Sequence, residues 1–592
     1  MTYHAPLDDL SRALESAAGL TGLIESGIYG ELDAETIQAV IEEAGKFAAD
    51  TLAPLNWKGD RTGVTLKDGV VTTPEGWGAA YTAWAQAGWA ALPCATEFGG
   101  QGLPHVLSTA VGEIWNSANL AFGLCPLLTQ GAIDAIVAHG TPELKALYLP
   151  KMIAGQWTGT MNLTEPHAGS DLGTLRTKAE RQADASYKIT GTKIYITYGE
   201  HDLTENIIHL VLARLPDAPP GTRGISLFLV PKFLVDKDGT LGARNDVKCV
   251  GIEHKLGIHA SPTCTMAYGE KGGATGYLIG EENKGLNVMF IMMNAARLAV
   301  GVQGVSVAEA ATQKAVQYAN ERRQGRATGA PAGDMSPIIQ HPDVRRNLMT
   351  MKALTAAARA ICLATAREID VAERSKDPAA RKAAHMRGAL LTPVAKSFST
   401  DIGCEVASIG VQVHGGMGFV EETGAAQYYR DARILPIYEG TNGIQAIDLV
   451  TRKLPLEGGA VARAYIAELK ATADEVRRSN TPEFGRMGER LDEAVDALTE
   501  ASQWMSKALV SNQDAALAGA APYLRLFGLA SGGTYLARAA LASARAGHAS
   551  ATHVATARFF AENLAAAAPG LARTILDGAD SVLGLTPEAL SA

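Results

Sequence analysis

An α+β chain in four consecutive parts is what this sequence predicts: a helical domain over residues 1–157, a β domain over 158–282, a four-helix bundle over 283–455 and a helical extension over 456–592. Three observations lead there. Apolar residues recur at the spacing of a helix face in the first part, give way to short β-rich runs in the second, and return to long helical periods afterwards. The 592 residues exceed what a single hydrophobic core serves, so several domains of about 100–200 residues each are expected. With 47% hydrophobic and 19% charged residues, the chain has the balance of a folded globular protein.

In the first part Ile37, Val40, Ile41, Ala44 and Phe47 line one helix face; Asp33 or Ala34 starts that helix, and Pro54 lies shortly beyond its expected end. Phe98-Gly99-Gly100-Gln101-Gly102 is a turn-rich loop. Thr141 fits an N-cap, with Pro142 at the first helical position. In the second part the runs Tyr187–Thr190, Ile207–Ala213 and Ile225–Val230 are separated by Pro-Gly and Asp-Gly turns. That spacing reads as an antiparallel barrel or sandwich. No Gly-x-Gly-x-x-Gly opens a helix after a strand, which argues against a Rossmann nicotinamide site. The third part holds enough helical period for four bundle helices, interrupted by a Gly-, Ala- and Pro-rich loop, Gly325–Pro337. In the extension Leu491, Val495, Leu498 and Met505 mark an apolar face, and acidic and basic side chains nearly balance.

Composition narrows the function classes. A net charge of −9 and a pI near 5.9 disfavour nucleic acid and anionic membranes as partners, while leaving room for a local basic pocket. Six cysteines (Cys94, Cys125, Cys249, Cys264, Cys362, Cys404) are far apart and read as reduced, buried thiols; no metal site is expected. The start, Met1 to Asp9, lacks the basic and apolar regions of a signal peptide. Leu286 to Val307 is apolar enough to imitate a membrane span, yet it carries Asn287, Asn294, Arg297 and Gln303, each costly in hydrocarbon. No membrane span and a cytoplasmic location are the expectation.

Three segments carry chemistry: Thr164-Glu165-Pro166-His167-Ala168-Gly169-Ser170-Asp171, then Gln412-Val413-His414-Gly415-Gly416-Met417-Gly418-Phe419, then Tyr438-Glu439-Gly440-Thr441. Glu439 alone would be an ordinary solvated loop carboxylate, and the first segment alone an ordinary turn. In this order, however, they resemble the acyl-CoA dehydrogenase family, over roughly residues 30–455. The resemblance implies a middle β-barrel, a bound FAD and an acyl-CoA substrate. It makes Glu439 the base that removes the α-proton while the flavin takes a hydride from the β-carbon, with the Glu439 N–H gripping the thioester oxygen. Some relatives place the base one residue before an arginine matching Arg297; here that residue is Ala296, which cannot act as one.

The same resemblance assigns the remaining residues. Arg297, inside an apolar helix, either pairs with a bundle carboxylate or steadies Glu439 before substrate arrives. Met161, Leu163 and Thr164 face the flavin; Gly169 and Ser170 allow close approach of phosphate or the CoA arm, with Ser170, Asn294 and Arg297 on the substrate side. Tyr195, in Lys193-Ile194-Tyr195-Ile196-Thr197, packs on a flavin face where relatives have tryptophan, and Thr197 lies beside it; a half-buried strand tyrosine is the plain alternative. Arg322 reaches the FAD pyrophosphate of a neighbouring subunit, which implies at least a dimer; otherwise it is a solvated basic helix end. Gln324, Gln412, Gly415, Gly416 and Thr441 complete the cofactor set. His167 is not expected to be a base, and His341 reads as a helix cap.

The long form with its helical tail, and Tyr198-Gly199-Glu200-His201-Asp202 after the flavin strand, resemble most the branch acting on 3-methylmercaptopropionyl-CoA, linked to dimethylsulfoniopropionate catabolism. Electron-transfer flavoprotein is the implied acceptor. The alternatives are a general medium- or long-chain acyl-CoA dehydrogenase, an acyl-CoA oxidase, or a nucleic-acid-binding flavoprotein of the same fold; the near-neutral tail argues against the last.

Overall fold

A computed structural model describes residues 3–479, 481–545 and 551–592; Met1 and Thr2, part of the segment read for a signal peptide, lie outside the described residues, as do Asn480 and 546–550 of the extension. Asp33 caps its helix as expected, accepting the Thr36 N–H at 2.8 Å. Pro54 does not end the helical run. Ala34–Phe47 continues through a π-helical turn, Ala48–Leu52, into Ala53–Thr62, where Pro54 sits in the first turn and its missing N–H costs little. Beyond it a small hairpin interrupts the helical part: β1 (Thr65–Lys67) and β2 (Val70–Thr72) pair across Asp68-Gly69, both at positive φ, 53° and 81°. Thr141 accepts the Leu144 N–H at 3.3 Å, with Pro142 opening the helix Pro142–Ile153.

The strands that follow are β3 (Trp157–Asn162), β4 (Lys178–Arg181), β5 (Tyr187–Thr197), β6 (Asn206–Arg214), β7 (Ile225–Pro231), β8 (Phe233–Val235), β9 (Leu241–Arg244), β10 (Val247–Ile252), β11 (Thr263–Tyr268) and β12 (Ala274–Ile279). Pairing runs β4–β5–β12–β7–β6 and back to β4, so the sheet closes into a small barrel. Two pairings depart from the antiparallel expectation: β4 meets β6 in parallel at Lys178 opposite Arg214, and β3 runs parallel to β6, Trp157 opposite Asn206 through Asn162 opposite Val211. The chain makes β4 and β5 before returning to β6, the long connection that a parallel pair requires. Alternate residues of these strands fill one core, Ile189, Val211, Phe228, Met266 and Tyr268 among them.

Residues 283–455 contain three long helices, Gly285–Glu321, Pro342–Arg374 and Pro378–His414, and a shorter one, Asn442–Asp448, that continues through a π-helical turn to Lys453. After Gly415-Gly416 only short helices form, Ala425–Ala432 and Asn442–Asp448. A further long helix, Ala520–Arg545 of the extension, packs on Pro342–Arg374 and Pro378–His414. Gly304 lets the first bundle helix approach closely, since a Cβ there would lie 2.3 Å from the Ser399 carbonyl oxygen. Leu491, Val495, Leu498 and Met505 are buried as their spacing predicts.

By compactness the chain forms two units that cut across the four expected parts. One holds Phe47–Pro104 and Ala118–Ala296; the other holds Tyr3–Lys46, His105–Ser117 and Arg297–Ala592. The second is fastened internally by buried charge: Arg359 donates to Glu113 at 2.6–3.0 Å and to Glu309 at 2.8 Å. Three helices, Leu120–His139, Gly285–Glu321 and Pro342–Arg374, are long and apolar enough to cross a membrane by length and composition; 72%, 67% and 78% of their apolar windows is buried inside the protein.

Candidate active site

Glu439 sits in the turn between Ala432 and the helix Asn442–Asp448, half-buried and at φ 56°. A non-glycine residue in this left-handed region is strained, so its surroundings must hold it. They do so from two sides. Gln445, buried in the following helix, donates Nε2 to the Glu439 carbonyl at 3.3 Å and to the Gly440 carbonyl at 3.2 Å. Lys396, from the middle of Pro378–His414, donates Nζ to the Gly440 carbonyl at 2.9 Å and to Asn442 Oδ1 at 2.8 Å. Thr441, expected at the cofactor, caps the helix by accepting the Ile444 N–H at 3.3 Å. Tyr438 donates its hydroxyl to Gln303 Oε1.

Burial pushes the Glu439 carboxyl up to about 7, with Arg297 and then Lys396 pulling the other way. Arg297 is 7% exposed, and its pairing with a bundle carboxylate is present. Its Nη1 lies 3.7 Å from Asp448 Oδ2, a bundle carboxylate, and its charge also acts on Glu439. Burial pulls the Lys396 ammonium down to about 8, opposed by Glu439 and Asp401. A carboxyl titrating near neutrality between two cations is what a general base requires. Lys396, Asn442, Gln445 and Asp448 were not singled out from the sequence. A lysine inside the apolar run Val394-Ala395-Lys396-Ser397-Phe398 was the available signal, by the argument that drew attention to Arg297.

A second cluster lies in the other unit, around β3 and β5. Lys193 Nζ donates to the Leu163 carbonyl at 2.9 Å and the Ile194 N–H to the Thr164 carbonyl at 2.9 Å, which fixes this segment beside Tyr195. Glu165 is a structural anchor: it accepts Lys193 Nζ at 2.8 Å, the Thr177 hydroxyl at 2.6 Å and the Arg176 N–H at 2.7 Å. Tyr195 is no half-buried strand residue; it is 60% exposed at φ 59°, where the β5–β11 register shifts. Such a bulge re-aims a side chain outward. The Met161 side chain belongs to the hydrophobic core, which leaves its main chain to meet a ligand. The Thr197 carbonyl accepts the Thr160 hydroxyl at 2.7 Å. Gly169, Ser170 and Asn294 are exposed, and His167 bonds the Thr174 carbonyl at 3.0 Å.

Arg322 and Gln324 are exposed at the end of Gly285–Glu321, with Arg322 Nη2 3.3 Å from Gln324 Oε1. The following loop is ordered by a bridge between Arg323 and Pro337. His341 occupies an N-cap position, but its ring bonds the Gln324 carbonyl at 2.8 Å and does not cap the helix. Gln412 is exposed on the last turn of Pro378–His414, followed by Gly415 at φ 60° and Gly416. The Tyr198–Asp202 segment is structural: Glu200 pairs with Lys232 and Arg244, His201 bonds Thr158 at 2.9 Å, and Asp202 accepts the Thr73 hydroxyl at 2.6 Å.

With this geometry in place, the comparisons with known proteins are decisive. Family models for the N-terminal, middle and C-terminal domains of acyl-CoA dehydrogenase match residues 34–156, 160–270 and 283–454, and an acetyl-CoA dehydrogenase C-terminal-like model matches 465–586. The chain belongs to the acyl-CoA dehydrogenase family: it is an oxidoreductase that works with FAD. It is 48% identical over 589 residues to 3-methylmercaptopropionyl-CoA dehydrogenase of Ruegeria pomeroyi, covering 98% of this chain and 99% of that protein. It is 35% identical to a butyryl-CoA dehydrogenase of Syntrophomonas wolfei, over 84% of this chain and 83% of the other. In fold it matches Caenorhabditis elegans ACDH-11 in complex with C11-CoA, with a TM-score of 0.77 at 18% identity, over 97% and 95% of the two chains.

The residues fit FAD. Within one unit, Tyr195 offers an outward aromatic face beside the Leu163–Thr164 segment, and a Cβ built on Gly169 would meet no atom within 4 Å, leaving the backbone there open to a ligand.

Proposed function

We propose that this enzyme desaturates 3-methylmercaptopropionyl-CoA between Cα and Cβ, with Glu439 as the base and electron-transfer flavoprotein as the acceptor. The observation that carries the base is the half-buried Glu439 carboxyl near neutrality, within the fields of Arg297 and Lys396. The substrate rests on the end-to-end 48% identity to the Ruegeria pomeroyi enzyme; the acceptor rests on family membership. FAD supplies the hydride acceptor. The protein residues do the rest. Glu439 takes the α-proton, its N–H polarises the thioester oxygen, and Arg297 holds the carboxylate charged until substrate enters. Leu163, Thr164, Tyr195 and Thr197 orient the ring, and Arg322 with Gln324 serves a neighbouring copy's cofactor in a homodimer. Gln412, Gly415, Gly416 and Thr441 complete the cofactor cradle, Ser170 and Asn294 flank the CoA arm, and the enzyme works in the cytoplasm.

The test is anaerobic mixing of the yellow protein with 3-methylmercaptopropionyl-CoA, butanoyl-CoA and a longer straight-chain thioester, following loss of flavin absorbance. The sulfur-bearing thioester should give the highest rate at low substrate concentration. Faster bleaching by either straight-chain thioester contradicts the substrate assignment.

A further inference from the structure

Lys396 is fully buried, and its ammonium bonds two neutral acceptors, the Gly440 carbonyl and Asn442 Oδ1. A cation in that setting is costly unless the surrounding field offsets it. Asn442, which Lys396 grips, is itself tied back to the lysine's helix: its Nδ2 donates to the Ser397 carbonyl at 3.2 Å, Thr400 Oγ1 at 3.0 Å and Asp401 Oδ1 at 2.7 Å. The turn pinned in this way carries Glu439 at φ 56°, a conformation that relaxes once its ties are cut.

We propose that Lys396 is a positioning residue for the reaction: it clamps the Gly440–Asn442 turn so that Glu439 points at its target, and it is one of the two cations whose field keeps that carboxylate charged. This rests on Glu439 being the base. Charged and titratable groups reach this region from every packed element. Arg297 comes from Gly285–Glu321, Lys396 and Asp401 from Pro378–His414, and Arg525, which acts on Asp401, from Ala520–Arg545. Asp448 and Arg452 lie beyond the turn, with Tyr438 and Asp431 before it. Among the described residues the attractive charges acting on Glu439 are Arg297 and then Lys396, so neutralising the lysine removes one of two.

The experiment uses flavin-loaded Lys396→Met, Lys396→Gln and Lys396→Arg, with Glu439→Gln alongside, and measures single-turnover flavin reduction by acyl-CoA from pH 6 to 9.5. For the neutral variants the ascending limb should move up by about one pH unit, so that the loss against wild type is about fivefold at pH 7, approaches tenfold at pH 6 and is nearly gone at pH 9. Lys396→Arg should return the limb toward its wild-type position. An unmoved limb in a neutral variant that retains flavin overturns the proposal. So does failure of both neutral variants to hold flavin, because the lysine is then a residue of the fold. The base assignment fails separately, if Glu439→Gln reduces its flavin at the wild-type rate. A dead Glu439→Gln with unmoved Lys396 variants refutes only the lysine.

Discussion

Replacing Glu439 by glutamine is expected to stabilise the protein while it abolishes turnover. Loss of hydration raises the carboxyl from 4.5 to about 7, even with Arg297 and Lys396 attracting its charged form. The sign follows from proton linkage. Between these two values the native state holds a proton that the unfolded chain has lost, so stability falls as pH rises through that window. At about 1.4 kcal/mol per pH unit, the penalty reaches ~3 kcal/mol at pH 8.5, is about half that at pH 5.5, and vanishes well below pH 4.5. Glutamine has no charge to desolvate and should escape it. Matched thermal scans of wild-type and Glu439→Gln holoenzyme at pH 8.5 and 5.5 would read the difference as a few degrees in Tm at the higher pH, shrinking at the lower. A variant no more stable than wild type at pH 8.5, or a difference independent of pH, would refute the reasoning. The base would then not be desolvated, and another cause would be needed for its strained turn.

The same carboxyl should set the pH dependence of the reductive half-reaction: flavin reduction rises with pH through about 7 and falls about tenfold per unit below it, whereas a flat profile between pH 5.5 and 8 would contradict this. Tyr195→Ala removes the exposed ring at the β5 bulge and should weaken FAD retention by about 1 kcal/mol, roughly fivefold, in equilibrium dialysis; unchanged retention would return Tyr195 to the surface. Arg359→Met leaves Glu113 and Glu309 buried without their shared cation and should cost ~3–5 kcal/mol in denaturant unfolding, while an unaltered midpoint would mean that the cluster contributes nothing.

Much of this was legible in the sequence, because the informative features are local. The change of period near residue 158 announces the β domain, and Thr141-Pro142 announces a helix start by capping chemistry alone. The motif around Glu439 is contiguous, so its residues are found together whatever the fold. What escaped depends on chain returning from a distance. The parallel pairing of β3 with β6 is invisible in either strand, since both are buried along nearly their whole length and lack the one-sided alternation that fixes register. Pro54 read as a stop because proline breaks a helix interior, yet a π-helical turn lets it begin a new one. That a further long helix, Ala520–Arg545, reaches the bundle from the extension cannot be read from either segment alone. Lys396 was passed over because a lone lysine on a helix is ordinarily solvated. Its partners lie some 44 residues on, and only the fold turns it inward.

Whether Glu439 removes the α-proton is tested most directly by isotope exchange, uncoupled from hydride transfer. An acyl-CoA whose third position is a heteroatom has no β-hydrogen to lose, so holoenzyme in deuterium oxide should replace its C2 hydrogens without further reaction. Wild type should exchange them rapidly above pH 7, and Glu439→Gln by at least a thousandfold less; exchange in the glutamine variant at the wild-type rate would contradict the account.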